Sequence, residues 1–355
     1  MVIKIRFERR VSPPKYLSIL YVIISILSAF FVSGFIFKAY GINPILAYRI
    51  IFTHAYGSPS GIYETIVKAI PLILCSVGLS LAFKAEMWNI GAEGQLLLGA
   101  IMATGLALFT PTPPSIIVPV MFIGGFMAGA LWAVIPAILK VLLNVNEVIT
   151  TMMMNYIAIE LVRYLIYGPW RGSKEWGYPI TDEIPDAAKL ICIPGTRIHI
   201  PTLAIAISTA FIVYLIIMRT TLGYEIRVAG ENPEAARYAG ISYLKISILS
   251  MIISGGLAGI AGVGEIAGIH YRLRYPESIS MGYGFTSIIV AWLGRLNPIS
   301  IIIASIFFGG LLVGGYVMKM ILGLPVAVVY VFNGITLMFI LVGGVLSQYK
   351  IKLRG

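Results

Sequence analysis

The side chains able to do chemistry in this chain are few, and most fall where lipid is expected. The stretch MWNIGAEGQ, residues 87–95, places Asn89, Glu93 and Gln95 between two apolar runs. Asn155 stands in ITTMMMNYIA and Glu265 in GGLAGIAGVGEIAG. An ionisable group in hydrocarbon is costly, so Glu93 must face protein, water or a partner. The glycines beside it permit a bend whose freed backbone groups and amides could line a path for a polar solute. A capped helix-turn-helix at the cytoplasmic surface would use the same residues. Asn155 suits either pairing with a neighbouring helix or contact with a solute, and the methionines before it fit adaptable packing. Glu265 follows small residues at helix-packing spacing and either lines a conduit or caps an outer turn. His270, Arg272 and Arg274 form a basic rim for an acidic partner surface or for solvent.

Reaction chemistry is not written into these residues. No GxxxxGK followed by Ser or Thr is present to hold a nucleotide. No HExxH occurs, and three scattered histidines argue against a catalytic zinc. No serine or cysteine has a recognisable base partner. Cys75 lies in an apolar run and Cys192 in a polar loop, so the two are not expected to pair. The chain reads as a non-enzyme with no metal and no cofactor of its own.

The elements that must position these residues follow from composition. Of 355 residues, 59% are hydrophobic and 12% charged, and the mean hydropathy is +0.92, outside the range of soluble domains. A helix needs about 20 apolar residues to cross the hydrocarbon, and the alternation of a lipid-facing β-barrel is absent. The expected fold is therefore an all-α integral membrane protein, multi-pass in the cell membrane, in contact with membrane lipids. Apolar runs at 17–37, 62–83, 95–109, 115–139, 148–167, 201–218, 246–269, 285–293, 300–317 and 325–346 predict about ten spans, some short or broken. Phe285 heads the short eighth run and joins the candidate path.

The whole chain, 1–355, is expected to form one permease domain with its core at 60–346. Residues 17–37 are read as a retained first span rather than a cleaved signal peptide. The formal net charge is +11, concentrated at both ends. Positive charge beside spans marks the cytoplasmic side, so both the N-terminus, residues 1–16, and the C-terminus are expected inside. No basic stripe with stacking aromatics points to nucleic acid. The count of spans then puts the loop 168–199 outside and the segment 219–245 in the cytoplasm. Gly-rich breaks at NIGAEGQ and MGYGF fall at matching places in two halves, a hint of an inverted repeat.

Within the cytoplasmic segment lies GENPEAARYAGIS, residues 230–242. Asn232 can cap a helix, Pro233 fits its first position, Glu234 suits its positive end and Gly240 can end it. Ala235, Ala236 and Arg237 complete two turns. A rigid polar peg tied to two spans can fit a cleft on another protein and pass its movement to the membrane. With no nucleotide site in the chain, the expected driver is a separate ATPase.

GENPEAARYAGIS resembles the cytoplasmic coupling segment of ABC-importer permeases. NIGAEGQ (89–95), NEVITTMMMNYIA (146–158), GGLAGIAGVGEIAG (255–268) and GYGFTSIIVAWLGRLNP (282–298) are similar to the binding-protein-dependent, branched-chain amino acid/ribose-like branch that serves nucleosides and simple sugars. The resemblance covers about residues 60–345. It implies two permease subunits, identical or homologous, above two ATPase subunits that bind ATP and Mg, with an extracellular solute-binding lipoprotein delivering cargo. It also implies that residues 232–240 form the coupling helix and that Asn89, Glu93, Gln95 and Asn155 lie near the translocation path. A different reading of the same chain is an ion-gradient-driven secondary transporter titrating Glu93 or Glu265.

Overall fold

A computed structural model describes residues 4–9, 15–173, 177–347 and 349–354. Parts of the expected cytoplasmic N-terminus (1–3 and 10–14) and of the loop 168–199 (174–176) lie outside the described residues. The elements are β1 (Lys4–Arg9), α1 (Lys15–Ala39), α2 (Pro44–Tyr56), α3 (Pro59–Lys84), α4 (Ala92–Phe109), α5 (Ile117–Leu143), α6 (Glu147–Tyr167) and α7 (Ile200–Arg219). They continue as α8 (Thr221–Glu231), α9 (Pro233–Tyr238), α10 (Tyr243–Glu265), α11 (Pro276–Ile279), α12 (Tyr283–Leu293), α13 (Pro298–Leu322), α14 (Val326–Ser347) and β2 (Tyr349–Arg354).

The fold is nearly all helical; the exception is at the two ends, where β1 and β2 pair antiparallel with Lys4 opposite Arg354. Among the described residues seven helices, α3, α4, α5, α6, α7, α10 with its extension to His270, and α13, are long and apolar enough to span. The pair α1 and α2, bent by 116°, counts as one more. The expected total of about ten is reached only if α12 and α14 are counted too. At 11 residues, α12 is about 16 Å long, roughly half the hydrocarbon thickness.

The chain divides into two compact units. One comprises residues 1–65 and 310–355. In it, α2 occupies a stretch that reads as a loop because of Arg49 and His54. Asn43 starts that helix, its side chain accepting from the Ile45 amide at 3.0 Å, with Pro44 in the first turn. Phe30 and Tyr48 stack with ring centres 5.2 Å apart, and the Tyr48 hydroxyl donates to the Phe30 carbonyl, fastening α2 to α1.

The other unit, residues 66–309, carries the candidate site. Its centre is α10 packed against α4 and α5. Gly259 meets Gly99 and Gly125, and Gly255 meets Gly129, so closely that an added Cβ would strike the opposing backbone. Small residues let these backbones approach, which is how helices gain packing energy where lipid is as apolar as leucine. Tight packing of α10 against α4 fixes the depth at which the polar residues of the 87–95 stretch are held.

Candidate functional site

The connection between α3 and α4 is where the polar residues converge. The α3 helix ends at Lys84, Glu86 takes a left-handed φ of 54°, and the Met87 amide returns to the Ala82 carbonyl at 2.9 Å. Residues 87–90 then run without regular structure to α4. Breaking a helix frees backbone groups that need partners away from water. Asn89 and Gln95 supply some, exchanging two amide hydrogen bonds of 2.9 Å, while Asn89 Oδ1 accepts from the Gly91 amide at 3.0 Å. Asn89 Nδ2 also donates to Ser254 Oγ on α10 at 2.9 Å.

Asn155 on α6 serves the same break from the other side. Its Nδ2 donates to the Ile90 carbonyl and its Oδ1 accepts from the Gly94 amide, both at 2.8 Å. Thr151, one turn earlier, accepts from the Ile90 amide at 3.2 Å. Asn89, Gln95 and Asn155 are all buried. In this conformation they form one knot around the start of α4.

Glu93 points elsewhere. Its Oε2 accepts from the Gly284 amide at 2.8 Å in the first turn of α12, and the Ser280 hydroxyl and the Gly282 and Phe285 amides also face the carboxyl. A carboxylate against the free amides of a helix start is a favourable arrangement, because those groups carry partial positive charge. Gly284 is required here, since a Cβ would collide with the Glu93 backbone. Phe285, 40% exposed, lies on the open side of the same turn.

One charged neighbour was hidden in the apolar run at 62–83. Lys68 on α3 places its Nζ 3.4 Å from Met281 Sδ and 5.6 Å from the centre of the Tyr283 ring, just ahead of α12. Two charges, Glu64 and Lys68, scarcely lower the average hydropathy of a 22-residue stretch. The signal that could have found it is the presence of an ionisable residue within a predicted span.

At the opposite end of α10, Glu265 is 1% exposed and 3.5 Å from His270 Nε2, where the helix widens into a π-turn over Ile266–His270. The loop 168–199 is laid along this end by backbone bonds from Thr181, Ile184 and Leu190 to Leu273, Tyr271 and Ala267. Arg272 donates to Glu183 at 3.0 Å, and Lys189 bridges Glu183 and Asp186 at 2.7 Å each. The basic rim expected at 270–274 is thus engaged by groups of the same chain at His270 and Arg272. Asp186 and Glu183 hold the Lys189 ammonium above the usual lysine range, and Lys189, then Arg272, holds Glu183 below the usual carboxylate range. His199 is wholly buried with neither ring nitrogen hydrogen-bonded. Burial pushes its pKa down, against a smaller opposing pull from Glu265.

The peg forms as its residues dictate. Asn232 Oδ1 accepts from the Glu234 and Ala235 amides at 3.0 Å each, and Pro233 opens α9. Gly240 has a φ of 76°, and the bonds Gly240 N to Arg237 O and Ile241 N to Ala236 O, 3.1 and 2.9 Å, close the end as a Schellman motif does. Glu234, Ala235, Arg237 and Tyr238 are exposed; Ala236 is buried. The preceding helix α8 does not stand out in the sequence as a separate element. Thr220 caps it through the Gly223 amide at 3.2 Å, and Gly230 sits against the Lys84 carbonyl. Tyr243, at the start of α10, places its hydroxyl 3.8 Å from Met87 Sδ. The helices on either side of α9 thus each touch the α3–α4 connection, α8 at Lys84 and α10 at Met87.

Comparison with known proteins bears on this geometry. The profile of a family described as "Branched-chain amino acid transport system / permease component" matches residues 61–341. The chain is 34% identical to the glucose ABC transporter permease protein TsgB13 of Haloferax volcanii over 362 residues, which covers 99% of this chain and 94% of that one. It is 35% identical to the nucleoside ABC transporter permease protein NupB of Lactococcus lactis, covering 90% of each chain. It is 33% identical to the guanosine ABC transporter permease protein NupP of Bacillus subtilis, covering 88% of each. The family match and the seven apolar helices of this chain fit a multi-pass protein of the cell membrane. The chain belongs to the branched-chain amino acid transport system permease family, as a membrane-spanning permease subunit of an ABC importer.

Proposed function

We propose that this permease passes a nucleoside or a simple sugar, delivered by an extracellular solute-binding lipoprotein and driven by separate ATPase subunits that bind ATP and Mg. A second permease chain, identical or homologous, completes the path. The observation that carries the reading is the capped, exposed α9 tied to the α3–α4 break through Gly230 and Tyr243. Residues 232–237 with Gly240 fit a cleft on one ATPase, and the second permease chain engages the other in the same way. When the ATPases close, α9 moves, and α8 and α10 carry that motion to Lys84 and Met87. The ATPases thus supply differential contact with two states of the membrane part.

Asn89, Glu93, Gln95, Asn155, Glu265 and Phe285 lie along or beside the path in this reading. The four amide and carboxyl groups near the α4 start act as its hinge: their bonds hold one conformation and exchange in the other. Phe285 and the α12 turn face the solute. About ten spans with both termini in the cytoplasm agree with the basic ends, and pairing of β1 with β2 supports a common side for the two termini.

The test uses the complete transporter in vesicles. Glu234→Arg and Gly240→Pro are expected to abolish ATP-driven uptake while the binding protein still captures solute. Normal uptake by both variants would contradict the lever. Ligand identification on the associated binding protein decides between nucleoside and sugar.

A further inference from the structure

We propose that Trp88 and Trp292 are positioning residues for transport: their stack makes α12 follow the α3–α4 connection, so that movement of the peg reaches the turn carrying Phe285. The proposal rests on the importer reading above and adds to it the step by which movement leaves that connection.

Residues 83–88 touch three helices. Gly230 on α8 lies against the backbone of Lys84 and Ala85, and the Tyr243 hydroxyl on α10 is 3.8 Å from Met87 Sδ. The third contact is aromatic. Trp88 lies over Trp292, in the last turn of α12, with ring centres 5.8 Å apart and planes inclined by 21°. Phe83, in the last turn of α3, closes the triangle at 5.5 Å from Trp88 and 6.0 Å from Trp292. Aromatic pairs at such separations contribute beyond the area they bury. A tryptophan kept only as an interface anchor would give its ring to the headgroups. These two cover each other instead.

The same connection also holds the other end of α12. Glu93, five positions after Trp88, accepts from the Gly284 amide at 2.8 Å in the first turn. The helix has 11 residues and is about 16 Å long, so one short segment of chain grips it at both ends. A stiff element held in this way moves as one piece with what holds it. Beyond Trp292 the backbone turns away from α12 at once: Arg295 and Leu296 take φ of 55° and 53°. That left-handed conformation is uncommon for residues with side chains, and it keeps α12 from running on into α13.

The peg helix therefore has neighbours, α8 and α10, on one side of residues 83–88, and α12 is the element on the receiving side. Without the aromatic triangle only the Glu93 end of α12 would stay tied, and the helix would lag or tilt when the connection shifts.

The test is solute moved per ATP hydrolysed by the complete transporter in vesicles, with the melting temperature of the purified complex read beside it. Trp88→Ala and Trp292→Ala are each expected to lower the ratio by roughly two- to tenfold, the factor one aromatic pair is worth, while hydrolysis continues. The double variant is expected to fall no further than the worse single one, because each ring acts through the other. Trp292→Phe, which keeps a ring to stack, is expected to recover most of the ratio. Trp292→Leu serves in place of Trp292→Ala if the alanine variant does not assemble. A native ratio in the variants without a ring, or losses that multiply in the double variant, would overturn this proposal and leave the importer reading standing. A native complex with no ATP-driven uptake would overturn the importer reading and this proposal with it.

Discussion

The Gly284 amide donates to Glu93 Oε2 at 2.8 Å, joining the first turn of α12 to the first turn of α4 across 191 positions of sequence. Neither helix start has a side-chain cap of its own. Replacing Glu93 by alanine strips the α12 amides of their acceptor, a loss of about 1–3 kcal/mol for a buried group left unpaired. Glu93→Gln keeps one acceptor oxygen. The apparent melting temperature of the purified complex should fall in the order native, Glu93→Gln, Glu93→Ala. Equal values for all three would show that the carboxylate does not tie the two helices.

Asn155 offers a sharper division between a structural and a solute-binding role. Asn155→Leu leaves the Ile90 carbonyl and the Gly94 amide unpaired, and a stability loss of about 1–3 kcal/mol is expected. Asn155→Asp keeps the acceptor for Gly94 and loses the donor to Ile90, so it should fall between. A leucine variant with native thermal stability and abolished uptake would move Asn155 from the knot to the solute.

His199 gives the outer loop a dependence on pH. Its folded pKa is lowered by burial, so between the ordinary value of about 6.5 and the lower folded value the undocked loop binds a proton that the docked loop does not. Docking is therefore strongest above that ordinary value and weakens as pH falls through it. Hydrogen exchange at Leu190 and Ile200, corrected for intrinsic rates, should speed up between pH 7.5 and 5.5 in the native protein and not in His199→Phe. Parallel behaviour of the two proteins would assign the effect to another group.

Contact between α8 and the end of α3 is the nearest mechanical link from the peg to the membrane. Gly230→Val would force α8 away from the Lys84 carbonyl. Solute moved per ATP hydrolysed is expected to drop severalfold while hydrolysis continues. Unchanged stoichiometry would remove this contact from the route.

The peg was legible because capping is local. Asn232, Pro233 and Gly240 each act on residues within four positions, and each makes the expected bonds. The polar stretch at 87–95 was legible only as a demand for partners. Those partners, Ser254, Asn155 and Gly284, come from distant parts of the chain, and nothing in one sequence pairs them. Helix α2 was missed because Arg49 and His54 outweighed the Asn43–Pro44 start signal. Helix α8 lies within a segment, 219–245, that the charges mark only as cytoplasmic, and its Gly230 allows close backbone approach. Glu64 and Lys68 disappeared into an average.

The most direct measurement compares solute accumulation in two sets of vesicles. One set holds this chain alone; the other holds it with its companion permease, ATPase subunits and binding protein. Accumulation is expected only in the second, only with ATP, and without regard to sodium or proton gradients. Accumulation by the isolated chain under an ion gradient, with no ATP present, would contradict the account.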